Sequence, residues 1–382
     1  MVRGSDNPEA LRVAIAAGGT GGHIMPALAL AEALTNIGRP VRTDFVCGNR
    51  PVELQIYASA GVRPVVFPVG SMSSGSRWRR VWQRTGLAYS FVKSLLLVHR
   101  YDVVVGMGGY ISVPFLTAAW LGRVPIILHD SNTVLGRVNR FMARRAAAVA
   151  CGMPLARHPE KVPPERVFQV GTPVRLFITR GSRAEAARSM YLREDAFTIF
   201  INGGSQGARG LNDLMARTLG CLSERWTSDK PLQVVWSTGP ANLLQVRQAL
   251  KAQPLKCQIW MAPSIERMDL AYAISDLVIS RAGGSALAEV LLCGLPSILI
   301  PLPYAAENHQ HYNAGVLARH GAALLCDEKD TSPEILADKI AGLASRPDEM
   351  AQMAKAARRL SCPDAGRDLA RIVVEAAGGN TL

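Results

Sequence analysis

The segment Gly18-Gly19-Thr20-Gly21-Gly22-His23 places four glycines beside a single imidazole. An apolar run at residues 11–17 precedes it, and Pro26, a residue suited to a first helical turn, follows it. The pattern is that of a strand, a glycine-rich turn and the start of a helix. It predicts a site at which backbone amides approach an anion closely. His23 could donate there to a phosphate or sugar oxygen, or accept a proton as a general base.

The elements around this motif recur once along the chain. A strand with its Gly-rich turn occurs as IAAGGTGGH and as IFINGGSQGARGLN, and an Asp-led strand ending in Gly-Gly occurs as DVVVGMGGY and as DLVISRAGGSALAE. Short apolar runs alternate with helical periodicities, the pattern of parallel strands joined by helices. We therefore predict an α/β fold of two Rossmann-like domains whose parallel sheets face each other across a cleft. The strand candidates are residues 12–16, 103–105, 126–128, 198–201, 234–237, 277–279 and 297–300.

Two standard nucleotide motifs explain the glycine turns poorly. The first turn departs from the dinucleotide pattern GxGxxG, and Asp44 comes too early to supply the acidic residue that this pattern needs. Neither turn is followed by Gly-Lys-Ser or Gly-Lys-Thr, which excludes a P-loop. Ordinary strand-to-helix turns that bind nothing stay open as the simplest alternative.

The expected domain junction lies near Arg175, after a proline-rich stretch at residues 159–164. We expect residues 1–175 to form an N-terminal Rossmann-like domain and residues 176–345 to form a C-terminal one. Residues 346–382 are expected to form a helical segment that packs back on the N-terminal domain.

Composition narrows the class of protein. The chain has 382 residues, of which 48% are hydrophobic, and this is enough for two cores. Residues 1–175 carry 21 Lys and Arg against 9 Asp and Glu, whereas the remainder carries 22 against 21. The seven scattered cysteines form neither a disulfide framework nor a zinc motif, which favours a reducing cytoplasm. No signal peptide, membrane-spanning run or nucleic-acid motif is expected.

The basic excess concentrates in residues 74–100, which contain no acidic residue. Arginines and tryptophans recur there at roughly helical spacing, as in an interfacial amphipathic helix that binds anionic lipid headgroups. The alternative is that residues 89–97 belong to an ordinary core helix. The residues expected at the membrane are Arg77, Trp78, Arg79, Arg80, Trp82 and Arg84.

Several motifs together resemble the MurG family of bacterial GT-B glycosyltransferases. They are GGTGGHIMPALALAEAL, GMGGYISVP, HDSN, GTPVR, NGGSQGARGLN, RAGGSALAEVLLCGLP and ENHQHYNA, and they occur in the family's order over residues 11 to 315. The resemblance implies inverting transfer of N-acetylglucosamine from UDP-GlcNAc to the C4 hydroxyl of undecaprenyl-pyrophosphoryl-MurNAc-pentapeptide. This step converts lipid I to lipid II in peptidoglycan synthesis. It also implies a peripheral enzyme at the cytoplasmic face of the bacterial inner membrane, near other cell-wall synthesis proteins, with an acceptor-binding first domain and a donor-binding second domain.

The resemblance also implies roles for individual residues. His23 becomes the candidate catalytic base, and Gly18, Gly19 and Tyr110 fall on the acceptor side. Ser205 would hold the UDP diphosphate, Glu289 would accept from both ribose hydroxyls, and Gln310 would read the sugar hydroxyls. The implied donor-binding residues are Thr20, Gly21, Gly22, Asn132, Arg175, Ser205, Ile265, Gly284, Ser285, Ala286, Leu287, Ala288, Glu289 and Gln310.

One position departs from the family pattern, and one motif is missing. The family often has His-Glu-Gln-Asn where this chain has His129-Asp130-Ser131-Asn132, so we expect Asp130 to orient its neighbours and not to act as acid or base. The chain contains no Asp-x-Asp, and we expect catalysis without a metal or other cofactor. The open alternatives are another GT-B glycolipid glycosyltransferase, a UDP-GlcNAc 2-epimerase, and a nucleotide-sugar-binding subunit without activity.

Overall fold

The computed structural model describes residues 10–68, 77–204 and 206–378; for residues 77–84 and for Ala306 it describes the backbone only. The chain divides into two compact units. The first comprises Met1–Arg175 together with Cys362–Leu382, and the second comprises Leu176–Ser361.

The first unit is built on a seven-stranded parallel sheet in the order β3-β2-β1-β4-β5-β6-β7. The inner strands are short apolar runs buried on both faces, and a separate hydrophobic core covers each face. The strands are β1 (Leu11–Ala16), β2 (Val41–Cys47), β3 (Val65–Val66), β4 (Val103–Gly106), β5 (Ile126–Asp130), β6 (Ala148–Cys151) and β7 (Val167–Gln169). The helices are α1 (Gly21–Leu34), α2 (Pro51–Ser59), α3 (Arg77–Val98), α4 (Ser112–Leu121) and α5 (Arg137–Met142).

The second unit repeats this architecture with a six-stranded parallel sheet in the order β10-β9-β8-β11-β12-β13. The strands are β8 (Phe197–Asn202), β9 (Leu232–Ser237), β10 (Gln258–Ala262), β11 (Leu277–Ser280), β12 (Ser297–Leu299) and β13 (Ala323–Leu325). The helices are α6 (Arg183–Met190), α7 (Arg209–Arg225), α8 (Leu243–Lys251), α9 (Met268–Ile274), α10 (Gly284–Cys293), α11 (His309–Arg319), α12 (Pro333–Ala344) and α13 (Pro347–Leu360). Short 3₁₀ segments occupy Ala143–Arg145, Pro164–Arg166, Leu176–Thr179, Ala306–Asn308 and Glu328–Asp330.

Both sheets run in the order third, second, first, fourth, fifth and sixth strand, which is the Rossmann order. The predicted α/β class with two Rossmann-like domains is therefore confirmed, and each of the seven strand candidates falls on a strand, with Ile300 one residue beyond the end of β12. In such a sheet the ligand crevice forms beyond the carboxyl ends of the first and fourth strands. These are β1 and β4 in the first unit and β8 and β11 in the second.

Residues 346–382, expected to pack as a single segment on the N-terminal domain, are divided between the two units. Helix α13 packs on α10 and α12 in the second unit, with Met353 and Ala357 buried. The helix ends at Leu360 because the chain turns extended before Pro363. The last helix, α14 (Ala365–Ala377), packs on α1 and contributes Leu369 and Val373 to the core of the first unit.

The segment predicted to bind the membrane coincides with α3. Of its described side chains, Ser90 and Ser94 are buried, whereas Tyr89, Val92 and Leu96 are exposed. The side chains of Arg77, Trp78, Arg79, Arg80, Trp82 and Arg84 lie outside the described residues. Within the described part of the chain, no helix combines the length and the apolar character needed to span a bilayer.

Candidate active site

The first glycine turn is held by a buried carboxylate. Glu53, on α2, accepts the Gly19 amide on Oε1 and the Gly48 amide on Oε2, both at 2.7 Å. Gly19 has a φ of +95°, a conformation that favours glycine. The Gly19 amide, which the sequence made available to an anion, is therefore already bonded to a carboxylate, and the exposed Arg50 donates from Nη1 to the Gly19 carbonyl at 3.0 Å.

His23, in the first turn of α1, lies directly over this turn. Its Nδ1 is 3.0 Å from the Gly18 carbonyl oxygen. Because a carbonyl only accepts, we assign the proton of the neutral imidazole to Nδ1, which leaves the lone pair on Nε2. A base needs that arrangement.

The glycine pair after β4 makes room for this imidazole. A Cβ on Gly108 would lie 3.0 Å from His23 Nε2, and one on Gly109 would lie 2.6 Å from the Gly18 carbonyl oxygen. Both glycines also have positive φ values, +98° and +87°. The two glycine-rich turns of the first unit thus meet backbone to backbone. Tyr110 follows them and is 40% exposed, so its ring is accessible at this edge of the sheet.

The end of β5 supplies a network organised by Asp130. Oδ1 accepts the backbone and side-chain amides of Asn132 at 3.1 Å, and Oδ2 accepts from Gly136 N at 2.7 Å and Asn139 Nδ2 at 2.9 Å. This carboxylate has the orienting role expected of it. The neighbouring His129 is buried, and burial lowers its pKa. Its Nε2 donates to the Gly171 carbonyl at 3.1 Å, so this imidazole has a structural role.

The second glycine turn, after β8, has neutral partners. The Gly204 amide donates to Asn202 Oδ1, and the Gly207 amide donates to the Gly204 carbonyl, each at 2.9 Å. A Cβ on Gly207 would lie 2.3 Å from the Thr238 carbonyl oxygen, so this turn also needs glycine. Ser205 lies outside the described residues.

Arg281, at the end of β11, is the buried charge beside the second turn. Its backbone amide bonds to the Asn202 carbonyl, and its side chain donates to the Ile300 and Pro301 carbonyls at 3.0 and 3.1 Å. An ion pair with Glu328 at 2.5 Å balances its charge.

Helix α10 carries the predicted segment from Gly284 to Glu289. Its first turn, at Gly284, Ser285 and Ala286, begins with amides that lack partners within the helix, as in every α-helix. Leu287 is fully buried, so a ligand could meet only its backbone. Glu289 is half-buried, and the buried Tyr272 donates its hydroxyl to Glu289 Oε2 at 2.9 Å.

The remaining predicted donor residues lie in separate loops. Gln310 accepts the Leu302 amide on Oε1 at 2.9 Å, which fixes the orientation of its side-chain amide. Ile265 is buried in the loop after β10. Asn132 and Arg175 are half-buried in the first unit. Among the described residues, no three His, Cys, Asp or Glu side chains converge as metal ligands would.

Four residues of these networks were not predicted from the sequence: Glu53, Asn139, Tyr272 and Arg281. Each acts by holding a backbone turn or a predicted side chain. Their partners are distant in sequence, 34 residues for Glu53 and Gly19, so no local motif marks them.

Two Rossmann-type units, each with a glycine turn at the ligand end of its sheet, define a GT-B class of protein, and solved structures agree. A crystal structure of Acinetobacter baumannii MurG matches with a TM-score of 0.70 and 25% identity, covering 96% of this chain and 99% of that one. A Listeria monocytogenes protein described as a UDP-N-acetylglucosamine 2-epimerase matches with a TM-score of 0.68, covering 94% of each chain. At 14% identity the second match shows the fold alone.

Sequence comparisons identify the family. The glycosyltransferase family 28 N-terminal domain matches residues 13–151, and its C-terminal domain matches residues 198–369. A Desulfitobacterium hafniense protein is 33% identical, covering 96% of this chain and all of the relative, and one from Mycobacterium avium is 34% identical, covering 96% and 89%. Both are named UDP-N-acetylglucosamine–N-acetylmuramyl-(pentapeptide) pyrophosphoryl-undecaprenol N-acetylglucosamine transferase. The chain belongs to glycosyltransferase family 28 and, within it, to the MurG enzymes.

Proposed function

We propose that this chain transfers N-acetylglucosamine from UDP-GlcNAc to the C4 hydroxyl of undecaprenyl-pyrophosphoryl-MurNAc-pentapeptide, as the name of its full-length relatives describes. The observation that carries the proposal is the imidazole of His23, whose Nδ1 is held by the Gly18 carbonyl and whose Nε2 lies 3.0 Å from the point where a Gly108 Cβ would stand. An epimerase reading rests on likeness of fold alone and is not favoured.

The second unit would hold the donor. Glu289, oriented by Tyr272, would accept from the ribose hydroxyls, and Gln310 would contact the sugar. The amides at the start of α10 and in the turn of Ser205 would hold the diphosphate. Ile265 would pack beside the uracil. The donor contacts implied for Thr20, Gly21, Gly22, Asn132 and Arg175 belong to the same proposal.

The reaction would be an inverting displacement. His23 Nε2 takes the proton of the acceptor C4 hydroxyl while its oxygen forms a bond to the anomeric carbon of the donor. The bond from that carbon to the diphosphate breaks on the opposite face, and its electron pair leaves with UDP. Fixed amide dipoles stabilise the negative charge that grows on the leaving group.

The first unit would hold the acceptor, with Gly18, Gly19 and Tyr110 lining its sugar. The basic residues in the stretch 77–84 would attract anionic lipid headgroups and place the enzyme as a peripheral protein on the cytoplasmic side of the inner membrane. Proteins of cell-wall synthesis and cell division are the partners expected there.

The test is to incubate the purified protein with UDP-GlcNAc, with and without a short-chain acceptor analogue, and to follow UDP release and products by mass spectrometry. Acceptor-dependent UDP release with a new disaccharide lipid is expected. Turnover without acceptor would contradict the proposal and indicate an epimerase or a hydrolase. Activity is expected to persist in EDTA. A full loss of activity that Mg²⁺ restores would contradict the proposal of metal-independent catalysis.

A further inference from the structure

The first unit contains a basic cavity that the donor site does not use. It measures about 550 Å³ and lies beside α5. Val134, Leu135 and Phe141 form its apolar part. Four arginines and one glutamate line it as well, so its net charge is positive.

Three of these arginines are exposed where they line the cavity: Arg140, Arg144 and Arg157. The fourth, Arg145, stacks on the Trp120 and Phe141 rings at 4.8 and 4.9 Å and packs the wall. The Nε of Arg144 donates to the Glu160 carbonyl at 3.4 Å, which ties the 3₁₀ segment after α5 to the segment that carries Arg157.

Helix α5 and the loop before it connect the cavity with the surroundings of His23. Asn139 Nδ2 lies 3.8 Å from the point where a Gly108 Cβ would stand, and His23 Nε2 lies 3.0 Å from that same point. Arg140 is the next residue of the same helix but is exposed on the cavity side, whereas Asn139 is buried. Two consecutive residues of α5 therefore reach different places, Asn139 the neighbourhood of Gly108 and His23, and Arg140 the cavity.

A site for the diphosphate apart from His23 suits the geometry of the acceptor. In a pyranose the C4 hydroxyl and the anomeric substituent lie at opposite ends of the ring, so a diphosphate on C1 sits beyond the sugar whose C4 hydroxyl meets His23. At the first glycine turn the Gly19 amide already donates to the buried Glu53 carboxylate, and Arg50 already donates to the Gly19 carbonyl, so this amide does not serve the diphosphate. Arginine guanidinium groups match phosphate oxygens in pairs.

We propose that the cavity lined by Arg140, Arg144 and Arg157 binds the diphosphate of the polyprenyl-linked acceptor. This inference rests on the proposed function, since it takes that acceptor as the substrate. It assigns substrate recognition to residues that no motif in the sequence marks.

The experiment compares wild type with the Arg144→Gln/Arg157→Gln double variant on a short-chain diphosphate acceptor, in solution and without vesicles. The acceptor KM is expected to rise about tenfold or more, as the loss of charge-assisted hydrogen bonds implies, while the KM for UDP-GlcNAc stays unchanged. Arg39→Gln is the matched control, because Arg39 is exposed in the same unit but precedes the amino end of β2, at the opposite edge of the sheet. The Arg144→Lys/Arg157→Lys variant, which keeps both charges, should recover most of the affinity.

Two further arms identify the source of the anion. An acceptor whose diphosphate is replaced by a neutral linker should show the same KM with wild type and double variant. Inorganic pyrophosphate, titrated in the presence of saturating UDP, should bind wild type and not the double variant. An unchanged KM for the soluble diphosphate acceptor would overturn the proposal, and a loss of vesicle binding alone would then assign the cavity to lipid headgroups. If wild type transfers no sugar, the proposed function fails, and the pyrophosphate titration still decides whether the cavity takes a diphosphate.

Discussion

The two glycine turns occupy equivalent places in their sheets but differ in the charge of the side chain that accepts the turn amide. In the first unit the ionisable carboxylate of Glu53 accepts the turn amide of Gly19, and in the second the neutral side-chain amide of Asn202 accepts that of Gly204. The buried charge beside the second turn, Arg281, is positive and paired with Glu328. The same backbone motif is therefore prepared for different chemistry in each unit.

The difference assigns one task to each turn. A diphosphate is favoured where turn amides are near neutral or positive groups, as in the second unit. In the first unit the Gly19 amide is taken by a buried carboxylate and Arg50 donates to the Gly19 carbonyl, so this amide is not available to a second anion. The first turn therefore suits an uncharged hydroxyl and the base that deprotonates it.

Replacing the imidazole should have the largest effect. For His23→Ala we expect kcat to fall by about 10²–10⁴, the usual contribution of a general base. Its Kd for UDP-GlcNAc should change by no more than about twofold if the donor diphosphate binds in the other unit. Steady-state kinetics and calorimetry check both values, with His99→Ala, an exposed histidine of the same unit, as control. A His23→Ala enzyme that turns over normally would remove this residue from the mechanism.

Giving the second turn a carboxylate should abolish its preference for anions. Asn202→Asp keeps an oxygen that can accept the Gly204 amide but adds a negative charge. We expect the Kd for UDP to rise by about ten- to a hundredfold, since each factor of ten is about 1.4 kcal/mol of repulsion. Asn36→Asp makes the same chemical change at an exposed site in the first unit and should leave the Kd unaltered.

Removing the carboxylate from the first turn should lower stability and activity together. In Glu53→Gln one of the two amides, Gly19 or Gly48, must face the NH₂ group of glutamine. The free energy of unfolding should fall by about 1–3 kcal/mol, and kcat should fall by about tenfold because the Gly18 carbonyl that orients His23 shifts. Urea unfolding and kinetics measure the two effects. Wild-type stability and kcat would show that Glu53 does not hold the turn.

A smaller effect is expected from the loss of the Tyr272 hydroxyl, which positions the Glu289 carboxylate in the second unit. Tyr272→Phe removes the hydroxyl that donates to Glu289. We expect the KM for UDP-GlcNAc to rise about fivefold at constant kcat, in line with the loss of one charge-assisted hydrogen bond. Discrimination between UDP and 2′,3′-dideoxy-UDP should narrow as well. Tyr57→Phe, which loses a bond to the Ala17 carbonyl in the first unit, should not alter that discrimination.

The pH dependence of stability should reveal the buried imidazole of the first unit. Burial lowers the pKa of His129, whereas the unfolded chain has an ordinary histidine pKa of about 6.5. Below that pH the unfolded state binds a proton that the folded state excludes, so stability falls by up to about 1.4 kcal/mol per pH unit. Urea unfolding of wild type and His129→Gln between pH 6.5 and 5 measures the difference. Parallel pH profiles of stability for wild type and His129→Gln would mean that His129 titrates alike in the folded and unfolded states.

The sequence was informative where local chemistry demands particular residues. The runs that become β1, β4 and β8 are apolar because parallel strands are buried on both faces, and glycines mark the turns because positive φ values require them. Strand β3 has only two residues, which is too short for a hydrophobic period to appear in the sequence. Glu53 and Tyr272 escaped prediction because their function depends on partners brought together only by the fold.

The most direct test of the account is calorimetric titration of UDP into His23→Ala and Asn202→Asp side by side. The account predicts that His23→Ala binds UDP within about twofold of wild type while Asn202→Asp binds it at least about tenfold more weakly. Equal weakening in both variants, or loss of binding in His23→Ala alone, would contradict the assignment of the donor diphosphate to the second turn.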